Sequence, residues 1–186
     1  MRYNLYPHAG EVPYSDWADQ GIEIPVFDRD GTLGSLDSPI LDPTVIEGMK
    51  KQQMPDIFPQ IAIVSNNSDP WHVDKFAGAL RRRLGVGVFA VAKGHGYKGK
   101  PHPEMGHVVA RGFGVRPNQL GVIGDRLWTD VVFGHRVGVE AVALTTKVGE
   151  GDAPLVPILR RLEDLVIRLD TIRGHATPHV PSEIEE

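Results

Sequence analysis

The chain has 186 residues, which at about 150 residues per domain corresponds to one domain with modest additions. Its 20 basic and 24 acidic side chains leave a formal charge of −4, with a pI near 6.1, so no global basic field draws nucleic acid or an anionic membrane. The absence of cysteine excludes disulfides, thiolate zinc sites and cysteine nucleophiles, and no apolar run approaches the roughly 18 residues of a membrane span. MRYNLYPHAG at the start has neither an apolar signal core nor an Arg/Ser-rich transit pattern, so the expected address is cytoplasmic.

In chain order, five short runs rich in Val and Ile read as strands: Ile22–Asp28, Ile61–Ser65, Val86–Ala92, Leu120–Gly124 and Ala141–Thr145. Near-continuous hydrophobicity over so few residues suits strands buried on both faces. Helices are expected between them, at Pro43–Gln53, Pro70–Leu84, Pro103–Gly112 and Thr129–Val137. Three of these open on proline, which the first helical turn tolerates. The alternation predicts an α/β fold: a three-layer, Rossmann-like arrangement with a five-stranded, mainly parallel sheet and right-handed crossovers. Pro154–Ile172 reads as a last helix with Leu155, Ile158, Leu162, Leu165, Leu169 and Ile172 on one stripe and Arg160, Arg161 and Arg168 around it; it is expected to cover the sheet, with binding at a membrane surface as the less favoured alternative. Tyr3, Tyr6, Tyr14 and Trp17 are expected to pack over the sheet as well. The division expected is an N-terminal extension over 1–20, a main domain over 21–173 and a disordered tail over 174–186.

Open α/β sheets bind ligands beyond the carboxyl ends of their strands, and polar clusters fall at three such ends. Asp28-Arg29-Asp30-Gly31-Thr32 follows the first run; residues i and i+2 leaving a strand share a side, so two carboxylates could meet one hard cation. An acidic turn bent by Gly31 is the equal alternative. A calcium loop is excluded, because its sixth position would be Leu33 and its twelfth Pro39. Ser65-Asn66-Asn67-Ser68 follows the second run and could hold phosphate oxygens, although taken by itself helix capping, with Asp69 ahead of Pro70, is the favoured reading. Gly124-Asp125-Arg126-Leu127-Trp128-Thr129-Asp130 follows the fourth run: Asp125 could complete a cation site, and Asp130 could equally be a helix-start charge. In the loop Lys98-Gly99-Lys100-Pro101, Lys100 is the better phosphate ligand because Pro101 stiffens its presentation. The eight histidines show no metal spacing.

Taken in order, D-x-D-G-T, S-N, K-P and G-D-x-x-x-T-D resemble the four motifs of the haloacid dehalogenase (HAD) superfamily, subfamily IIIA, over roughly Ile22 to Thr145. GDRLWTDVVFGHRVG with VSNN and KP is most similar to the phosphatidylglycerophosphate phosphatase family. One departure is Gly31, where that family usually has Asn; DRDGT is the wording of histidinol-phosphate and heptose-bisphosphate phosphatases, which commonly carry a cysteine-rich zinc loop that this chain lacks.

The resemblance implies a Mg2+-dependent phosphomonoesterase with an aspartyl-phosphate intermediate. Asp28 is the implied nucleophile and Asp30 the acid and base; Asp28, Asp125 and the Asp30 backbone carbonyl hold the metal, and Asp130 supports it. Ser65, Asn66, Thr32 and Lys100 are the implied phosphate-binding residues. No large cap domain fits into Leu33–Gln60 or Asn66–Gly99. The expected substrate is a phosphate ester, a phospholipid headgroup above all, met with at most peripheral membrane contact and without nucleic acid. A soluble-metabolite phosphatase and a non-catalytic phosphate-binding scaffold on the same fold are the alternatives.

Overall fold

A computed structural model of the chain describes residues 2–35, 40–148 and 156–178. Seven parallel strands form one sheet: Tyr3–Tyr6 (β1), Ile24–Phe27 (β2), Gln60–Ser65 (β3), Gly87–Ala92 (β4), Leu120–Gly124 (β5), Ala141–Thr145 (β6) and Ala176–Pro178 (β7). Their order is β4-β3-β2-β5-β6-β1-β7. β2 lies inside the sheet, with Val26 in register with Ala62 on β3 and Val122 on β5. Every residue of β2, β5 and β6 is buried, as continuous apolar runs require inside a sheet covered on both faces.

The helices are Tyr14–Asp19 (α1), Pro43–Lys51 (α2), Met54–Ile57 (α3), Pro70–Leu84 (α4), Glu104–Phe113 (α5), Val132–Val137 (α6) and Val156–Ile172 (α7). One face of the sheet packs Phe27, Ile61 and Ile63 against Trp17, Val45, Met49, Phe76 and Leu80 from α1, α2 and α4. The other packs Ile24, Val26, Ala62 and Val122 against Met105, Val109, Phe133 and Val137 from α5 and α6. The result is the three-layer α/β class expected. Among the described residues no cap domain interrupts it: α2 and α3 occupy the chain between β2 and β3, and α4 and β4 the chain after β3.

Three expectations need correction. The sheet has seven strands rather than five. β1, in the stretch read as an extension, pairs with β6, and β7, in the stretch read as a tail, pairs with β1. Both are too short, four and three residues, to show strand periodicity, and a neighbouring edge supplies the pairing. Residues 179–186 of that tail lie outside the described set. Secondly, the helix expected over Thr129–Val137 is α-helical only from Val132, its first residues belonging to a π-helical turn, Leu127–Val131, and the one over Pro43–Gln53 ends at Lys51, with Gln53 in the left-handed region (φ 54°).

Thirdly, the apolar stripe of α7 does not cover the sheet. Leu162, Leu165, Leu169 and Ile172 are exposed, and Glu163 with Val166 and Ile167 turns inward instead. Pro154 and Leu155, expected to begin this helix, lie outside the described residues.

From β2 the chain winds outward through β3 and β4, then crosses back to β5 and continues outward through β6. The carboxyl ends of β2 and β5 therefore flank the point where the winding reverses, the place where such sheets leave a crevice for ligands. Asp28 and Asp125 each follow one of those two strands.

Candidate active site

Asp28 continues the ladder of β2, its N–H donating to the Ile123 carbonyl at 2.8 Å, so its position is set by the sheet. Asp30 follows in a tight loop closed by the Gly31 N–H on the Gly34 carbonyl at 2.7 Å. Gly31 has φ +82°, and a Cβ there would lie 2.5 Å from Asp125 Oδ2. Only glycine combines that backbone with so close an approach.

Lys100 reaches in from the loop before α5 with its side chain almost wholly buried. Its ammonium lies 2.6 Å from Asp28 Oδ1 and 2.5 Å from Asp130 Oδ1. Lys98 is exposed, its N–H donating to Glu104 Oε2 at 2.7 Å. Asn66 holds the lysine loop: Asn66 Nδ2 donates to the Lys100 carbonyl at 3.0 Å, and the Lys100 N–H donates to Asn66 Oδ1 at 2.6 Å. The side chain of Asn66 is thus spent on positioning Lys100. Ser65, fully buried at the end of β3, donates to Asp30 Oδ2 at 3.5 Å and accepts the Asn67 N–H at 3.1 Å. Thr32 donates to Asp125 Oδ1 at 3.5 Å.

Asp28, Asp125 and Asp130 are buried and each offers a carboxylate oxygen within 4.8 Å of the others. The π-helical turn carries Asp130 back over the end of β5, where a Cβ on Gly124 would collide with its side chain, and Oδ2 accepts the Arg126 N–H at 3.0 Å. Burial drives the Asp28 carboxyl well above the usual range, against the pull of Lys100 and with the help of three neighbouring acids. Burial and the Asp130 charge push Asp125 up to about 6 despite Arg160. Lys100 is raised, because the attraction of Asp130 and Asp28 outweighs its desolvation. Three hard oxygen donors in a small buried space that disfavours their charge fit a divalent cation such as Mg2+. Asp30 stands beside this group, its Oδ1 2.8 Å from Arg29 Nη1.

Three residues here had no signal in the motifs. Arg29 is fully buried, with its guanidinium 5.3 Å from the Phe76 ring centroid. Arg160 on α7 donates to Asp125 Oδ2 at 2.5 Å and to its carbonyl at 3.3 Å. Glu163, one turn on and only 3% exposed, accepts the Trp128 N–H at 3.1 Å and Arg126 Nε at 3.3 Å. Arg160 and Glu163 lie 35 and 33 residues beyond Asp125 and Asp130, in a helix whose polar positions look solvated in sequence. Beside Asp125 a cavity of about 590 Å³ opens between β1, β6 and α7, lined by Leu5, Tyr6, Leu144, Lys147, Arg160 and Ile167 among others.

Residues 97–159 match the family described as HAD-hydrolase-like. Rat chronophin (Rattus norvegicus) is 32% identical over 112 residues, which are 58% of this chain and 36% of that protein. Phosphatidylglycerophosphate phosphatase 1, chloroplastic/mitochondrial, of Arabidopsis thaliana is 29% identical over 172 residues, 87% of this chain and 47% of that protein. The chain spans about a third to a half of the length of these relatives. A crystal structure of an uncharacterized protein from Listeria monocytogenes serotype 4b superposes with a TM-score of 0.52 at 15% identity, covering 81% of this chain and 99% of that one. The HAD-hydrolase-like match falls on the segment that carries Lys100, Asp125 and Asp130. Over most of its length the chain is similar to the plant phosphatidylglycerophosphate phosphatase.

Proposed function

We propose that the chain is a phosphomonoesterase acting through an aspartyl-phosphate on Asp28, and that its substrate is the terminal phosphate of phosphatidylglycerophosphate. The observation that carries the reaction class is the Asp28–Lys100 pair at 2.6 Å, set at the sheet's winding reversal with Asp30 two residues on. In that arrangement Asp28 Oδ attacks phosphorus and forms the P–O bond as the ester P–O bond breaks, while Asp30 delivers a proton to the leaving oxygen. Asp30 then takes a proton from the water that attacks the aspartyl-phosphate, releasing inorganic phosphate and restoring Asp28. Lys100 and Ser65 hold phosphoryl oxygens and oppose the developing charge, and Arg29 keeps the Asp30 carboxyl in place. Asp28, Asp125 and Asp130 would hold a Mg2+ ion, which when bound supplies further charge neutralisation at the phosphoryl group.

The lipid substrate is supported by the plant relative's name, by the absence of a cap domain among the described residues, and by the cavity beside Asp125, whose walls are part apolar and part charged. The test compares kcat/KM on detergent-dispersed phosphatidylglycerophosphate with a panel of soluble phosphate esters, with metal and after stripping in EDTA. The expected result is metal-dependent hydrolysis with the lipid preferred. A soluble ester preferred by about tenfold, a gap of roughly 1.4 kcal/mol in transition-state binding, overturns the lipid assignment, and full activity after stripping overturns the metal site.

A further inference from the structure

Five of the nine large hydrophobic side chains exposed among the described residues lie on α7: Leu159, Leu162, Leu165, Leu169 and Ile172, between 41 and 82% exposed. They recur at helical spacing and make an outward stripe roughly 20 Å long at 1.5 Å per residue. The opposite side of the helix is pinned to the domain by Glu163, by Arg160 on Asp125, and by Asp170, which accepts the Tyr3 hydroxyl at 3.1 Å. Those polar anchors fix which side faces out, so the stripe cannot roll inward without breaking buried hydrogen bonds.

The charges around the stripe discriminate between occupants. Arg161 and Arg168 run along its free edge, Arg173 follows its end, and Asp164 is the one exposed carboxylate on the described turns of the helix. Trp128, 42% exposed, projects from the π-helical turn that Glu163 holds. Leucines flanked by arginines are the composition of a helix lying in an anionic lipid interface. A second copy fits less well, because antiparallel stripe-on-stripe pairing brings the two Arg161–Arg168 edges together. The whole chain carries −4, so attraction to an anionic surface must come from this local patch.

We infer that the outer face of α7 is a docking surface for anionic phospholipid membranes. The same helix walls the cavity beside Asp125, so docking there brings the site to the headgroup layer; that consequence rests on the lipid-phosphate reading above.

The test uses the full chain in co-sedimentation with vesicles of phosphatidylcholine alone or mixed with phosphatidylglycerol, neither of which offers a phosphomonoester. Leu165→Ser/Leu169→Ser removes apolar contact, and Arg161→Gln/Arg168→Gln removes charge; all four positions are exposed and outside the catalytic group. Binding should be about tenfold tighter to the phosphatidylglycerol vesicles, and each double variant should lose about tenfold, with kcat/KM on p-nitrophenyl phosphate retained. No binding by the unaltered chain, equal binding to both vesicles, or equal binding by the leucine variant overturns the inference. A dimer in sedimentation velocity that the leucine variant dissolves, without vesicle binding, assigns the stripe to a second copy and also overturns it. Vesicle binding retained without hydrolysis of phosphatidylglycerophosphate leaves the docking surface standing and removes the lipid substrate. Hydrolysis of dispersed lipid without vesicle binding does the reverse.

Discussion

Lys100→Met isolates the cation at the centre of the acidic cluster. Methionine has nearly the length of the lysine stem, so packing is kept while the charge is removed. In the native chain the ammonium lies within 2.6 Å of Asp28 and 2.5 Å of Asp130, both buried, with Asp125 in the same group. Removing one partner of a buried pair costs about 3–5 kcal/mol, because the carboxylates left behind are desolvated and repel one another. Proton uptake by Asp28, already held well above the usual range, limits that loss. At roughly 2–4 °C per kcal/mol for a chain of this size, Tm should fall by about 6–20 °C in metal-free buffer. Adding a divalent cation should recover part of this, since anything that binds only the folded state stabilises it by mass action, about 2.7 kcal/mol at a hundredfold excess over Kd. Turnover should drop on the order of a hundredfold or more, the usual loss of one preorganised charge from a phosphoryl-transfer site. Calorimetry with and without Mg2+, beside steady-state kinetics, reads all three. Tm unchanged within a degree and turnover within threefold would refute the reasoning, because a buried ammonium between two carboxylates cannot be dispensable.

Asp28→Asn keeps the shape of the proposed nucleophile while removing its charge, so turnover should fall by several orders of magnitude with Tm changed by only a few degrees; mass spectrometry after substrate addition should show no phosphorylated chain. Gly31→Asn places a Cβ where Asp125 Oδ2 lies 2.5 Å away, so Asp125 must shift, and kcat should fall at least tenfold with weaker Mg2+ dependence; unchanged kinetics at all Mg2+ concentrations would count against the close approach. Glu163→Ala removes the acceptor for Trp128 and Arg126 and should cost about 1–3 kcal/mol, seen as faster amide exchange in residues 126–131 and across α7; an unaltered exchange pattern would deny that this carboxylate anchors the helix.

The inner sheet and the positions of its polar ends are legible in composition and spacing. IPVF, LGVIG and AVALT have no polar face, so only burial on both sides suits them, and β2, β5 and β6 fall within the runs that composition marks. Pro70–Leu84 is helical over the expected span because Asp69 accepts the Trp71 N–H at 2.9 Å and Gly85 takes the left-handed turn that ends it. The order DRDGT, SNNS, KP and GDRLWTD was legible because each follows a hydrophobic run. The tertiary structure alone decided the rest. β1 and β7 are strands because a neighbouring edge accepts them, and pairing across more than a hundred residues leaves no local trace. Asn66 serves Lys100 rather than standing free, because two loops 34 residues apart converge on one crevice. The last helix is the sharpest case. Periodicity shows that it has an apolar stripe, but which side meets the sheet depends on Glu163 and Arg160 finding Trp128 and Asp125, and a buried hydrogen-bonded charge, costly to leave unpaired, overrules the leucines.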